Sequence, residues 1–211
     1  MMNKIVIILI VTAIVVASAM GKDLNPPPWE ASLPNQTYQA WDFTMQGPPY
    51  PFISENPYGT AQLMDYVATW PVPVEGPDGY IIDTMHIEEP GGLTIWVPNN
   101  KDPQQKKLIF WQMTSDKSPT PTGVGPTTTT PSGQTGTNLP APYPHVQHAG
   151  TWYTYNGLIE IRPNPEGEWI TFTLLPSTNI EQIVIKTVCV PEPCTISLLA
   201  LGGLLLRRRK K

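Results

Sequence analysis

Between residues 29 and 188 short runs of apolar, β-branched and aromatic residues alternate with clusters of Pro, Gly, Asn and Asp. Runs of this length and composition predict strands at 37–45, 61–70, 79–87, 93–97, 107–114, 151–162, 168–175 and 181–188, and none carries a helical period. Period-two alternation is plain in places. Trp41, Phe43 and Met45 fall on one face, as do Ile170, Phe172 and Leu174, whereas Trp169, Thr171 and Thr173 point the opposite way. Gly76-Pro77-Asp78-Gly79, Glu89-Pro90-Gly91-Gly92 and Pro163-Asn164-Pro165-Glu166-Gly167 supply turn chemistry between the runs. Eight strands so punctuated predict an all-β domain over 29–188, a β-sandwich or jelly roll.

Three stretches break that rhythm. Residues 115–144 are rich in Pro, Thr, Gly and Ser, including Thr127-Thr128-Thr129-Thr130, and hold few apolar side chains to offset ordering entropy. They predict a flexible, solvated insertion within one domain, with an O-glycosylated or matrix-contacting loop as the functional alternative. At the N-terminus Lys4 precedes an apolar run over 5–16, interrupted by Thr12, and Ala17-Ser18-Ala19 follows. Ala17 and Ala19 are the small residues a signal peptidase reads, so 1–19 predicts a secretory signal peptide cut after Ala19. At the C-terminus an apolar run over 195–206 leads into Arg207-Arg208-Arg209-Lys210-Lys211. A helix of about a dozen residues spans roughly 18 Å, short of the ~30 Å hydrocarbon core, so it makes a weak anchor. The cationic end favours the cytoplasmic side and places the preceding domain outside, in agreement with the N-terminal signal. Pro191 and Pro193 predict an extended linker over 190–193 that an enzyme can grip.

Charge is segregated in the same way. Residues 20–190 hold seven basic and sixteen acidic side chains, a net of −9, which argues against nucleic acid as a partner. Cys189 and Cys194 are the only two cysteines among 211 residues, too few for a disulfide framework. They predict two unpaired thiols, with a strained bridge across 190–193 as the alternative.

Pro191-Glu192-Pro193, an apolar helix and a terminal arginine run, in that order at the extreme C-terminus, resemble the PEP-CTERM sorting signal of bacterial proteins handled by exosortase. The resemblance covers about twenty residues and implies recognition at Pro191, Glu192 and Pro193, with Arg207, Arg208 and Arg209 as the membrane flank. It further implies release of the tail over 190–211 and delivery to the cell surface or an exopolysaccharide matrix. A looser resemblance to planctomycete-type exported PEP-CTERM proteins runs through Pro28-Trp29, Tyr38-Gln39-Ala40-Trp41-Asp42-Phe43, Asn56-Pro57-Tyr58-Gly59-Thr60, Glu160-Ile161-Arg162-Pro163-Asn164-Pro165 and Ile183-Val184-Ile185-Lys186-Thr187.

Candidate chemistry in the central domain is sparse. His145 and His148 with Asp83, His86, Glu88 and Glu89 offer metal-ligand types, but Asp83 and His86 fall on opposite strand faces, so no metal and no cofactor is assigned. Nucleophile elbows, phosphate-binding glycine loops and zinc-type cysteine clusters are missing from the sequence. Glu160, Glu168, Asp83 and Asp42 lie on predicted strands, which keeps an exported glycan hydrolase as the alternative function. The seven tryptophans are more suggestive, as flat apolar faces that stack on sugar rings or anchor the core. Trp152-Tyr153-Thr154-Tyr155 must present an aromatic to each face, so Trp152, Tyr153 and Tyr155 are the candidate carbohydrate contacts. The sequence therefore predicts an exported, noncatalytic surface or matrix protein whose partners are a signal peptidase, an exosortase-type enzyme, the membrane before processing and an extracellular polysaccharide.

Overall fold

A computed structural model of the chain describes residues 27–29, 33–64, 67–118 and 126–191. The expected signal peptide over 1–19 and the tail from Glu192 onward lie outside the described residues. Among the described residues every regular element is a strand, as the patterning predicts. In chain order they are β1 (Gln36–Asp42), β2 (Ile53–Glu55), β3 (Gln62–Leu63), β4 (Ala68–Glu75), β5 (Ile81–Ile87), β6 (Gly91–Pro98) and β7 (Gln105–Ser115). There follow β8 (Thr127–Thr129), β9 (Thr137–Leu139), β10 (Val146–Gln147), β11 (Tyr153–Ile161), β12 (Gly167–Leu174) and β13 (Thr178–Pro191).

All strand pairs are antiparallel and they form two sheets. The larger runs β10-β11-β7-β13-β1-β2; β9 shares the outer edge of β11 with β10, and β5 continues beside β13 beyond β1 and pairs with β4. The smaller runs β3-β6-β12-β8. Both contribute to one apolar core. Ile109, Trp111 and Met113 of β7, Ile159 and Ile161 of β11, and Ile183 and Ile185 of β13 meet Leu93, Ile95 and Val97 of β6 and Ile170, Phe172 and Leu174 of β12. The sheets touch where Trp111 packs edge to face on Phe172, ring centroids 5.3 Å apart. Gly157, opposite Trp111 on β11, makes room for that indole, since a Cβ would stand 2.5 to 2.7 Å from its atoms.

Three expectations need correction. Met45 does not share the fate of Trp41 and Phe43: it is 65 % exposed against 1 % and 0 %. The strand ends at Asp42, whose Oδ1 accepts from the Thr44 amide while its carbonyl accepts from the Met45 and Gln46 amides, so alternation stops at a turn. Within 115–144, residues 126–144 are largely exposed but not an irregular insertion. β8 pairs with β12 of the small sheet, and β9 pairs with β11 of the large one, joined by a tight reversal at Gly133 (φ 80°) in which Thr130 and Gln134 are hydrogen bonded. Threonine is β-branched and suits a strand; Thr128 turns inward and is buried while Thr127 and Thr129 face out. Val190 and Pro191 are not linker but the end of β13, paired with Lys106 and Gln105 of β7, and a proline is tolerated at a strand terminus because no further ladder bond needs its N–H.

This packing predicts a sharp contrast in urea unfolding. Phe172→Ala should lower stability by about 3–5 kcal/mol through the cavity it leaves between the sheets. Met45→Ala should change it by less than about 0.5 kcal/mol, as for an exposed turn residue.

Candidate functional site

The smaller sheet has one face in the core and one in solvent. Leu93, Ile95 and Val97 of β6 and Ile170, Phe172 and Leu174 of β12 point inward, which forces Thr94, Trp96, Trp169, Thr171 and Thr173 outward. The register sets the outward residues in rows. Gln62, Trp96, Trp169 and Thr129 lie side by side across β3, β6, β12 and β8, a row of roughly 14 Å at ~4.8 Å per strand. The next row holds Thr94, Thr171 and Thr127, flanked by exposed Met64, whose amide donates to the Thr94 carbonyl at 2.8 Å. These two rows contain no charged side chain.

The aromatic pair is the centre of this face. The Trp96 and Trp169 rings lie 4.9 Å apart, tilted by 44°, and both remain partly exposed. Trp96 leans over Gly167, the first residue of β12, where any Cβ would collide with the indole. Beside the pair Thr94 and Thr171 hydroxyls are 3.0 Å apart, and the exposed Thr127 and Thr129 extend the hydroxyl row. Apolar ring faces bordered by hydroxyls and a carboxamide match a sugar, which presents C–H groups on a ring face and hydroxyls at its rim.

Beneath the face lies a buried charge pair. Lys107 of β7 and Glu168 of β12 are fully buried; Nζ donates to Oε2 at 3.0 Å. Oε1 is 2.7 Å from the same ammonium but off any hydrogen-bond axis, so it is held by charge alone. Burial pushes the Glu168 carboxyl up, against the pull of the Lys107 ammonium. Cys189, opposite Lys107 in register, is a free buried thiol, also pushed up by burial. Asn99 lies at the same end: its carboxamide donates to Asn164 and, at 2.9 Å, to the Pro165 carbonyl, while Cys189 contacts its Oδ1 at 3.8 Å. Asn164 in turn donates to the Asn100 carbonyl at 2.8 Å. The loops at this end of the small sheet are thereby tied to one another.

The residues singled out from sequence fare unevenly. Trp152 is corrected: it is 4 % exposed and its Nε1 donates to the Glu75 carbonyl at 2.8 Å, so it anchors packing and offers no ring to a ligand. Tyr153 and Tyr155 do come together, centroids 5.8 Å apart, on the same side of β11 as Ile159 and Ile161. Tyr155 packs against the core and its outer neighbour is His145, 5.0 Å away, which leaves little open ring. Burial, with nearby Tyr153 and Asp116, pushes the Tyr155 hydroxyl up. Pro191 ends β13; Glu192, Pro193, Arg207, Arg208, Arg209, Ala17 and Ala19 lie outside the described residues.

Three of the four strand carboxylates are occupied, and the fourth, Asp83, is exposed on β5. Glu160 sits between Lys106 at 2.6 Å and Arg162 at 2.7 Å, and the Arg162 hydrogen bond holds its carboxyl below the usual range. Asp42 caps its own turn, and Glu168 is buried against Lys107. His86 bonds Asn179 at 2.7 Å and His148 bonds Thr154 at 2.8 Å; among the described residues no three His, Cys, Asp or Glu side chains gather to hold a metal. Trp96 and Trp169 were not singled out, although the outward direction of Trp169, Thr171 and Thr173 is written in their alternation. Only the pairing of β6 with β12 brings Trp96 alongside. No protein family, curated protein or solved structure matches the chain.

Removal of one buried charge strands the other. Lys107→Met should therefore cost about 3–5 kcal/mol in urea unfolding, whereas Lys107→Met with Glu168→Leu should recover most of that loss. A double variant no more stable than the single one would mean that the pair is not what makes the lysine costly to replace.

Proposed function

We propose that the chain is an exported cell-surface or extracellular-matrix protein whose central domain, a β-sandwich or jelly roll, is noncatalytic and binds a polysaccharide on the outer face of its smaller sheet. The observation that carries the binding reading is the Trp96 and Trp169 pair, fixed by strand register and bordered by hydroxyls with no charge in either row. A pyranose laid on the two rings covers apolar C–H surface, while Gln62, Thr94, Thr171 and Thr129 meet its rim hydroxyls. An enzyme acting on glycans would need two free carboxylates across a cleft; of the four strand candidates Glu160, Glu168 and Asp42 are each committed to internal partners, which leaves Asp83, exposed on β5.

The export half of the proposal rests on the sequence at the two ends. A leader read at Ala17 and Ala19 delivers the domain outward, and a short apolar segment closed by Arg207, Arg208 and Arg209 holds it at the membrane. An exosortase-type enzyme then engages Pro191, Glu192 and Pro193 and removes the tail.

Two measurements test these halves separately. In affinity electrophoresis through gels cast with neutral glucans and mannans, at least one polymer should retard the protein. Trp96→Ala or Trp169→Ala should weaken that retardation about tenfold or more, equivalent to at least about 1.4 kcal/mol, while Tyr153→Ala leaves it unchanged. Undiminished retardation in both tryptophan variants would sink the binding reading. For export, mass spectrometry of mature protein from its native host should find Met20 as the first residue and no trace of Arg207, Arg208 or Arg209. A mature C-terminus at Lys211 removes the processing half.

A further inference from the structure

Three loops leave the same end of the small sheet and enclose a cavity of about 210 Å³. They follow β6, join β8 to β9, and precede β12; Asn99 at the start of the first is bonded through its amide to the Glu166 carbonyl of the third, 2.9 Å away. Lys101, Ser132, Gln134, Pro163, Asn164 and Glu166 line the cavity. It therefore begins about one row beyond the tryptophans: Glu166 is three residues from Trp169, roughly 10 Å along an extended strand, and Trp96 leans over Gly167 in that direction.

Its size and charge narrow what it can hold. The volume lies below the ~300–1,000 Å³ of cavities that enclose drug-sized ligands, so it accommodates one ring. Lys101 and Glu166 are exposed, and neither has an ion-pair partner among the described residues; they are not paired with each other either. An anionic sugar gains from the Lys101 ammonium what it loses to the Glu166 carboxylate, and a cationic one the reverse, so the cavity offers charge no net attraction. An uncharged ring with neighbouring hydroxyls satisfies both, since the ammonium donates to one hydroxyl oxygen and the carboxylate accepts from another. Pro163 presents an apolar wall, and Asn164, held in place by Asn99 and Asn100, is a fixed floor.

We infer that this cavity is a second binding subsite, which takes a single neutral hexose at the end of, or branching from, a chain laid along the Trp96 and Trp169 face. The placement at the end of a chain rests on the polysaccharide reading above; the affinity of the cavity for a neutral hexose does not. The subsite supplies selectivity between sugars, which the aromatic pair lacks.

The test is an NMR titration of the full-length chain with the methyl α-glycosides of glucose, galactose and mannose, and separately with methyl α-galacturonate. At least one neutral glycoside should shift the amide signals of Lys101, Asn164 and Glu166 at millimolar concentration. Lys101→Ala and Glu166→Ala should each weaken that binding about fivefold or more, with Tyr153→Ala affecting it less than about twofold. The uronate should bind more weakly than the best neutral sugar. Silence of all three neutral glycosides at these amides, an equal or stronger response to the uronate, or unchanged affinity in both alanine variants would overturn the inference. If the cavity is silent but polymer retardation still depends on Trp96 and Trp169, the subsite alone falls. If the monosaccharide binds but polymer retardation survives loss of both tryptophans, the reading of the face falls and the cavity stands alone.

Discussion

Everything on the ligand side of this protein depends on the register of β12. Its inward residues, Glu168, Ile170, Phe172 and Leu174, and its outward ones, Trp169, Thr171 and Thr173, are two halves of a single period-two pattern. A slip by one position would send Phe172 into water and bury Trp169 with two threonines. The Lys107 and Glu168 pair adds a penalty to every other register, because a buried carboxylate displaced from its ammonium loses its only counter-charge. Hydrophobic burial alone would favour the same face without discriminating so strongly between shifts of two residues. The buried pair thus secures, from inside, the row in which Trp96 and Trp169 meet on the outside.

Electrostatics separates the proposed binding face from the rest of the surface. Residues 20–190 carry a net charge of −9, yet the two rows around the tryptophans hold none of it. An anionic polymer is repelled by the whole domain at distances within a Debye length, about 8 Å at physiological salt, and finds nothing on the face to offset that repulsion. A neutral polymer suffers no such loss. The cavity beyond the face carries one charge of each sign and so adds no net charge of its own. Acidity over the bulk of the surface and the lack of any cation in the two rows both select against anionic ligands.

How much of this was legible in the sequence follows from which interactions are local. Alternation within a strand is local, and it correctly placed Ile170, Phe172 and Leu174 inside and Trp169, Thr171 and Thr173 outside. Met45 broke the pattern because Asp42 caps a turn, an interaction the alternation itself does not encode. The threonine run at 127–130 read as low complexity because only its apolar content was weighed; backbone pairing with β12 and the buried Thr128 supply what was missing. Trp152 and Trp96 illustrate the limit most clearly. Each stands near a strand among alternating residues, and their opposite fates are decided by remote groups: the Glu75 carbonyl, 77 residues away in sequence, draws Trp152 in, and the pairing of β6 with β12 sets Trp96 beside Trp169 on an uncovered face. The cavity was illegible for the same reason, since its walls come from three loops.

The end of the domain that carries the cavity is also the end from which the C-terminal segment departs. Pro191, the last residue of β13, pairs with Gln105, and the Gln105 carbonyl accepts from the Asn164 amide at 2.8 Å, at the cavity floor. If the tail tethers the chain before release, as proposed, the tether and the cavity lie on one side, and the cavity is turned toward the membrane rather than the matrix. Proteolytic removal of the tail would then free the domain and also uncover the subsite that distinguishes one sugar from another. The aromatic face, which runs along the strands away from that end, would be open in both forms, so a tethered molecule engages a polymer side-on through its tryptophans and gains the end subsite only after release.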